Sequence, residues 1–467
     1  MIKYSVTSLV NFCILISFSI CTLIEPASAY QGALISQKVK ENITKRVESE
    51  LSPAIVLAVY SNGKTEYFCF GSTAYRSDLR VSKDTIFEIG SITKVFTSLL
   101  LAEMVSDGRL SLDAEINSLL PDMNSLPVYD DTKISLKHLA THTSGLPYNP
   151  LNLQVADGND PFADYRKEDL LSFISTYTLP RKPGTEYEYS NTGVGLLGNI
   201  ITDLSGMEYA ELLREMILKK LKMTNTVIDP ENAASGILAD GHRGKNAVPY
   251  LKMPALQGAG PIKSSAKDML AFIESQVSSE NSPFNESIKL MQEQHFVVND
   301  RLEMGLGWHI VKENSRTIYM HGGLTGGFSS FTGFDKERKY GIVILSNSSE
   351  SIEDIGMHLL LDRNLKNVNV VKPDIKVDRN TLTKYVGEYR LDDEEKTMVY
   401  ISRVVNRLLI QMRDYPKRQL FPISQISFFV KNTDVEVEFI LDDTNTVTSL
   451  KFSMYGKQQS AKKIKRN

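Results

Sequence analysis

The segment at residues 87–101 constrains the fold of this chain more than any other. A short apolar approach reaches Gly90 and Ser91, and a long apolar run with helical spacing follows. A helix that is apolar on most of its faces has to be buried. We therefore predict a buried helix with Ser91 in its first turn. Unpaired backbone N–H groups and the positive end of the helix dipole favour an alkoxide there.

Lys94 follows Ser91 by three residues, which puts both side chains on one face of the helix. Burial lowers the pKa of a lysine, and a neutral amine can take the proton of a serine hydroxyl. The alternative is that Ser91 caps the helix and Lys94 extends towards solvent. The Ser-x-x-Lys pattern occurs four times in the chain, at Ser61–Lys64, Ser91–Lys94, Ser264–Lys267 and Ser460–Lys463. We interpret the other three as a hairpin turn, a helix N-cap and part of a basic tail.

The composition is that of a globular protein without a strong charge imbalance. The 467 residues are 42% hydrophobic and 23% charged, with a formal net charge of -3. Such a balance gives no strong attraction to nucleic acid, and we expect no nucleic-acid partner. The cysteines are Cys13, Cys21 and Cys69, and no Cys/His spacing typical of a metal site occurs. We expect no metal or organic cofactor, and we interpret Cys69 as an inert core thiol.

The N-terminus predicts export. Lys3 precedes an apolar stretch at residues 12–21, and Ala27-Ser28-Ala29 has the small-x-small pattern of a signal-peptidase site. We interpret residues 1–29 as a secretory signal, and an uncleaved anchor is the alternative. The expected location is the periplasm, and the mature chain would then keep one cysteine and no internal disulfide.

The order of elements predicts a mixed fold with a separate C-terminal part. An amphipathic helix is expected at 37–52, and a hairpin at 54–70 turns at Asn62-Gly63. Residues 109–300 are mostly helical and rich in loops. Strands are expected at 305–311, 316–321, 328–334 and 340–347, and a helix at 352–361.

The sequence pattern changes after a polar stretch at 364–380, which we interpret as a linker. Seven short alternating runs between residues 385 and 452 predict a small antiparallel barrel. The basic residues at 462–467 are interpreted as a solvated end, with peripheral contact to anionic lipid or wall polymer as an alternative.

Tyr189 and Asn191 lie on a predicted loop just before an apolar helix. A phenol beside a lysine ammonium has a lowered pKa and can act as a general base or proton shuttle. Asn191 could bond both the lysine and a substrate carbonyl. The alternative is a packed tyrosine followed by a turn asparagine. For His142, upstream, we predict a structural role in holding a buried turn rather than a role as a base.

The segment His321-Gly322-Gly323 ends a predicted strand. Its glycines let a substrate approach the backbone closely, so the N–H of Leu324 could join the N–H of Ser91 in an oxyanion hole. His321 would supply a donor or a partial positive charge at the cleft. A plain glycine-containing hairpin is the alternative.

Taken in order, Ser91–Lys94, Tyr189–Asn191 and His321–Gly323 resemble the motifs of the serine β-lactamase and penicillin-binding protein superfamily. The resemblance covers about residues 38–362 and is greatest to the class C branch. Flanking segments at 87–90, 139–147 and 305–308 also resemble it. The C-terminal region resembles the lipocalin-like β-domain that some members carry.

The resemblance implies an α+β fold, in which an antiparallel sheet is packed by helices and interrupted by a mostly helical insertion. A small C-terminal antiparallel β-barrel would follow. The domains implied are a serine hydrolase at 30–363, the linker at 364–380 and the barrel at 381–467.

The resemblance also implies roles for the motif residues. Ser91 would be the acylated nucleophile, Lys94 its activator and Tyr189 the proton relay. Asn191, His321, Gly323 and Leu324 would bind the substrate, with the amides of Ser91 and Leu324 forming the oxyanion hole.

One position departs from the class C pattern, because His321 stands where those enzymes usually carry a carboxylate-binding lysine. A histidine is cationic only part of the time near neutral pH. We therefore expect a D-alanyl-D-alanine carboxypeptidase/endopeptidase acting on peptidoglycan peptides, with at most weak β-lactam hydrolysis. An esterase of the same fold, or a binding protein that kept the fold without catalysis, are the alternatives.

Overall fold

The computed structural model describes residues 33–121, 123, 125–233, 237–313, 315–363, 365, 375–391, 397–412, 417–430, 435–454 and 457–464. The predicted signal at 1–29 and most of the predicted linker at 364–380 lie outside these residues. Within the described ranges, none of the helices has the length and apolar character needed to cross a membrane.

The helices are separated by strands and loops along the chain. They are α1 (Gln37–Glu48), α2 (Thr93–Ser106), α3 (Ile116–Leu119), α4 (Leu136–Ala140), α5 (Lys167–Thr176), α6 (Asn191–Ser205), α7 (Tyr209–Leu213), α8 (Lys219–Leu221), α9 (Ala266–Val277), α10 (Asn285–Gln292), α11 (Glu353–Leu361) and α12 (Arg379–Tyr385). A π-helical segment at Arg214–Leu218 joins α7 to α8, and 3₁₀ turns lie at Gly90–Ile92, Pro230–Asn232 and Ser279–Asn281.

Among the described residues, the strands form one large sheet, one barrel and three two-stranded pairs. Those before the C-terminal region are β1 (Ala54–Ser61), β2 (Lys64–Gly71), β3 (Ile86–Glu88), β4 (Val128–Tyr129), β5 (Thr132–Lys133), β6 (Gly241–Arg243), β7 (Asn246–Val248), β8 (Lys263–Ser265), β9 (Phe296–Asn299), β10 (Leu302–Met304), β11 (His309–Glu313), β12 (Arg316–Leu324), β13 (Ser329–Asp335) and β14 (Tyr340–Ser346). Those of the C-terminal region are β15 (Gly387–Leu391), β16 (Met398–Val404), β17 (Arg407–Met412), β18 (Arg418–Pro422), β19 (Ser427–Val430), β20 (Glu436–Leu441), β21 (Val447–Met454) and β22 (Lys457–Lys463).

The central sheet has the order β2-β1-β14-β13-β12-β11-β10-β9, and its neighbours pair antiparallel. The predicted N-terminal hairpin is confirmed, since Asn62 and Gly63 form its turn with φ of 49° and 81°. Two consecutive positive φ values suit Asn-Gly and match the twist of the paired strands. The N-terminal hairpin and the late strands thus meet in one sheet, as the resemblance implied.

Helices cover both faces of this sheet, and the alternation along β1 shows why. Ile55, Leu57 and Val59 point to the face covered by α1 and α11, whereas Val56 and Ala58 point to the face covered by α2 and α9. All five side chains are buried. A strand buried on both faces reads as a continuous apolar run, which is what residues 54–59 are. The predicted sheet packed by helices is confirmed.

The C-terminal region closes into a barrel of eight antiparallel strands, β15 to β22. The seven predicted runs lacked strand β22, which includes Lys462 and Lys463 of the basic residues that we interpreted as a solvated end. Lys462 is exposed, and residues 465–467 lie outside the described residues. Strand β22 pairs with both β21 and β15 and thereby closes the barrel. Ala461 is its buried inward residue, while the lysines and glutamines around it hide the alternation from a hydrophobic pattern.

One predicted cap also moves by a residue. Ser265, not Ser264, caps α9, since its Oγ accepts from the N–H of Asp268 at 3.2 Å. Ser264 is fully buried, and its hydroxyl lies 2.8 Å from that of Thr226. The Ser264–Lys267 pattern is therefore divided between a buried hydroxyl and a solvated lysine.

Candidate active site

Ser91 lies in the 3₁₀ turn that joins β3 to α2, immediately before the helix rather than within its first α-turn. Gly90 opens this turn with φ of 51°, a conformation that glycine adopts without strain. A Cβ at Gly90 would lie 2.9 Å from the backbone nitrogen of Leu324. Glycine is therefore needed here, because the Ser91 turn and the end of β12 approach too closely for a side chain.

Lys94 is fully buried beneath Ser91. Its Nζ lies 3.0 Å from Ser91 Oγ and donates to the carbonyl oxygen of Ala259 at 2.7 Å. Burial lowers the pKa of Lys94 well below its usual range, so the neutral amine is favoured. The alternative of a lysine that extends to solvent is wrong.

Tyr189 approaches the same pair from the loop that precedes α6. Its hydroxyl hydrogen-bonds to Ser91, and Lys94 Nζ lies 4.9 Å from the centre of its ring. We expected a neighbouring ammonium to lower the pKa of the phenol, but burial raises this pKa well above the usual value despite the bond to Ser91. The expected lowering is therefore wrong, and the phenol keeps its proton in the resting site.

Histidines surround the ring of Tyr189. His142 lies 4.3 Å away between ring centres, and its Nδ1 accepts from the N–H of Ser190 at 3.1 Å. This bond fixes the loop that carries Tyr189, so the structural role predicted for His142 is confirmed. Burial lowers its pKa well below the usual value, which leaves the ring neutral.

Sequence reasoning missed His309, which begins β11. Its ring lies 6.5 Å from that of Tyr189 and nearly parallel to it, and its Nε2 is 3.0 Å from the hydroxyl of Tyr187. Burial lowers the pKa of His309 to about 4. The residue directly follows the Gly305–Trp308 flank, but nothing in its spacing to Tyr187 or Tyr189 indicates that strand pairing brings it here.

Asn191 begins α6, where Ser190 caps the helix and accepts from the N–H of Gly193 at 2.8 Å. The side-chain amide of Asn191 donates to Asn149 Oδ1 at 2.9 Å, and both residues line the cleft beside Ser91. Within the described residues, the expected bond between Asn191 and Lys94 is not formed. Asn191 thus lines the cleft and bonds to Asn149 rather than to the lysine.

His321 is buried on β12, and its Nδ1 lies 2.7 Å from the carbonyl oxygen of Gly322. Its ring centre is 5.1 Å from that of His309 and 6.3 Å from that of Tyr189. Burial, with His309 and Lys94 nearby, lowers the pKa of His321 well below the usual value. The partial positive charge that we expected from His321 is therefore disfavoured, and a neutral ring is the resting form.

Gly323 and Leu324 bring the end of β12 against the backbone before Ser91. A Cβ at Gly323 would lie 2.0 Å from the carbonyl oxygen of Ile89, which also accepts from Ser330 Oγ at 2.8 Å. Ser91 and Leu324 line one cleft. Gly323 makes this close approach possible.

A buried ion pair supports the same turn and was also missed. Glu88, the last residue of β3, lies 3.8 Å from Lys263 on β8, and both side chains are 2% exposed. Glu88 Oε1 accepts from the N–H of Leu251 at 2.5 Å, and Leu251 lines the cleft. The pair thus joins the Ser91 turn to one cleft wall.

The cleft has a volume of about 230 Å³. It is lined by Gly90, Ser91, Tyr148, Asn149, Gly158, Asn159, Pro161, Phe162, Asn191, Arg243, Leu251, Met253, Ala259, Gly260, Leu324, Thr325 and Gly326. No three histidine, cysteine, aspartate or glutamate side chains in the described ranges are grouped so that they could hold a metal ion.

Comparison with known proteins gives the family. The β-lactamase family model matches residues 39–364, which is the part of the chain that carries the central sheet and the cleft. The chain belongs to the β-lactamase family. As a member of the β-lactamase family it is a serine hydrolase.

Relatives of this β-lactamase-family chain include proteins named as β-lactamases and one named as a carboxypeptidase/endopeptidase. A β-lactamase of Escherichia coli (strain K12) is 27% identical over 71% of this chain and 94% of its own length. A β-lactamase of Pseudomonas fluorescens is 25% identical over 68% of this chain and 94% of its own. The D-alanyl-D-alanine-carboxypeptidase/endopeptidase AmpH of Escherichia coli (strain K12) is 26% identical over 64% of this chain and 83% of its own.

Proposed function

We propose that this chain is an exported, penicillin-binding serine hydrolase of the class C-like branch, acting as a D-alanyl-D-alanine carboxypeptidase/endopeptidase with at most weak β-lactamase activity. The observation that carries the proposal is the 3.0 Å contact between Ser91 Oγ and the fully buried amine of Lys94, at the edge of a cleft. A buried neutral amine beside a half-buried hydroxyl is the arrangement that makes serine a nucleophile.

Acylation would begin when Ser91 Oγ attacks the substrate carbonyl and its proton passes to Lys94 Nζ. The oxyanion of the tetrahedral intermediate would accept from the amides of Ser91 and Leu324. The phenol of Tyr189, which holds its proton at rest, would donate that proton to the leaving nitrogen and recover one from Lys94. The C–N bond breaks, and the acyl group remains on Ser91.

Deacylation would reverse these proton transfers with water as the nucleophile. Lys94 takes a proton from the water, directly or relayed through the Tyr189 hydroxyl, while the water oxygen bonds to the acyl carbon. The acyl–Oγ bond then breaks, and the proton returns from Lys94 to Ser91 Oγ. Asn191 would orient the substrate across the cleft, where Asn149 already fixes its amide. The neutral histidines around Tyr189 would hold the phenol in place without supplying charge.

The neutral form of His321 favours a peptidase or an esterase over an efficient β-lactamase. Class C enzymes that bind the β-lactam carboxylate through a lysine at this position use a permanent charge, whereas burial keeps His321 uncharged. The AmpH relative, named as a carboxypeptidase/endopeptidase, supports the same preference. An esterase of this fold is the second candidate, because an uncharged ester has no need of a cation at His321. The meeting of Ser91, Lys94 and Tyr189 argues against a non-catalytic binding protein.

The proposed organisation is a signal at 1–29, the hydrolase at 30–363, a linker at 364–380 and a lipocalin-like barrel at 381–467. Removal of the signal would place the enzyme in the periplasm, beside peptidoglycan peptides. Peripheral contact with the membrane or the cell wall through the barrel is part of this proposal.

The test of substrate class uses the purified mature protein with three substrates in parallel. These are a muropeptide ending in D-alanyl-D-alanine, a penicillin and a short-chain ester. The proposal predicts release of D-alanine and a persistent penicillin adduct with slow turnover. Rapid penicillin turnover would make it a β-lactamase. Ester turnover without D-alanine release would favour the esterase, and inertness towards all three would contradict the enzyme.

A further inference from the structure

The charge of the cleft lining is carried by one residue. Of the lining residues given above, Arg243 is the only one with an ionisable acidic or strongly basic group, and the lining contains no carboxylate. The bases around Ser91 and Tyr189 do not line the cleft; these are Lys94, His142, His309 and His321. A cleft with one exposed guanidinium and no acid favours an anionic ligand.

The backbone holds Arg243 beside the oxyanion end of the cleft. It ends strand β6, whose His242 N–H donates to the carbonyl oxygen of Gly327 at 2.9 Å. The guanidinium of Arg243 lies 3.4 Å from the point where a Cβ of Gly326 would stand. Gly326 follows Leu324 by two residues, so the guanidinium lies against the turn that follows β12.

The guanidinium of Arg243 is also available. It is exposed, and it forms no ion pair with any carboxylate in the described part of the chain. Lys245, two residues on, is by contrast paired with Glu50. An arginine that is fixed by its strand, open to the cleft and not neutralised by a protein acid is suited to a two-pronged bond with a carboxylate.

We propose that Arg243 is the residue that binds the substrate's free carboxylate while Ser91 attacks the neighbouring carbonyl. The inference rests on the proposed function and deepens it, because it narrows the substrate class to anionic acyl donors. The carboxylate function would thereby move from the position of His321 to the opposite side of the turn at 325–327. A peptide with a free C-terminal carboxylate fits this requirement, and a neutral ester does not.

The experiment compares two thioesters that share one D-alanyl acyl group. Their leaving groups are mercaptoacetate, which is anionic, and mercaptoacetamide, which is neutral. The measured quantity is the ratio of kcat/KM for the anionic to the neutral substrate, so that losses of folding or of chemistry cancel. A charge-assisted bond predicts a ratio of about 10 to 100 for the natural chain.

The variants separate a specific bond from general charge. Arg243→Gln should lower the ratio to about 1, and Arg243→Lys should keep part of it, because a lysine retains charge without the planar fork. Lys245→Gln, the matched control, removes a nearby charge outside the cleft and should keep the natural ratio. The same fall in Lys245→Gln as in Arg243→Gln would overturn the inference.

The outcomes for the natural chain distinguish the two levels of the proposal. Turnover of both thioesters with a ratio near 1 would overturn the role of Arg243 and leave the acyl-serine chemistry intact. Turnover of neither, with no acyl-enzyme by intact mass, would contradict the proposed function and the inference with it.

Discussion

The substitution Gly323→Ala tests how the Ser91 turn is held against the end of β12. The added Cβ would lie 2.0 Å from the carbonyl oxygen of Ile89 and 2.3 Å from Ser330 Oγ. The Ser330 hydroxyl can rotate, but the Ile89 carbonyl belongs to the backbone that leads into Gly90 and Ser91. The strain therefore has to be relieved by separating β12 from the turn.

The size of the effect follows from this contact. Ordinary contacts of a Cβ begin at 3.4 Å, so the two backbones must part by about 1.4 Å. A displacement of about 1 Å at a catalytic group can cost roughly 100-fold in rate. We expect acylation by a penicillin or a thioester to slow by about 100-fold or more. Stability should fall by about 1–3 kcal/mol, the usual cost of overpacking.

Gly322→Ala is the matched control. A Cβ at Gly322 would have one neighbour within 4 Å, the carbonyl oxygen of Ser330 at 3.9 Å. It adds the same methyl group one residue earlier without a clash. The assay is the rate of acyl-enzyme formation by stopped flow, together with the free energy of unfolding in urea. The reasoning would be refuted if Gly323→Ala acylated within threefold of the natural chain, or if both variants lost activity equally.

Three other predictions concern the groups around Ser91. Tyr189→Phe should slow turnover by roughly 10²–10⁴-fold if the phenol relays the proton. A rate near that of Tyr187→Phe, which removes the hydroxyl that lies 3.0 Å from His309 Nε2, would return that role to Lys94. The acylation rate should rise with pH to a plateau, because the neutral amine of Lys94 is needed. Burial lowers the pKa of Lys94, so the midpoint of the rise should lie well below pH 10.5. A midpoint at or above pH 10.5 in a stopped-flow pH profile would contradict this prediction. The unfolded chain protonates His309 near pH 6.5 and the folded chain only near pH 4, so this residue should cost stability as the pH falls through that window. When the pH is lowered from 7 to 4, the unfolding free energy of the natural chain should therefore fall further than that of His309→Gln, by up to about 3 kcal/mol in urea titrations.

Local patterns predicted most of the framework. The Asn62-Gly63 turn, the apolar run of β1 and the buried helix α2 were predicted from a few neighbouring residues each, because turn chemistry and apolar spacing act locally. The same holds for the contact between Ser91 and Lys94, since three residues on a helix fix their relative direction.

What the sequence could not predict depends on distant packing. His309 reaches Tyr189 only through the pairing of β11 with β12, and Arg243 reaches the cleft only through the bond between His242 and Gly327. The shift in the pKa of Tyr189 was predicted with the wrong sign because the burial of its phenol is a property of the packed site. The closing strand β22 was missed because a barrel exposes one face, where lysines conceal the alternation.

The central claim is that Ser91, activated by the buried Lys94, is the residue that becomes acylated. Intact-mass spectrometry after incubation with a penicillin tests it most directly. The matched control is Ser61→Ala, which changes another Ser-x-x-Lys serine in the hairpin turn. The account predicts one adduct on the natural chain and on Ser61→Ala, mapped by peptide digestion to Ser91, and none on Ser91→Ala. An undiminished adduct on Ser91→Ala would contradict it.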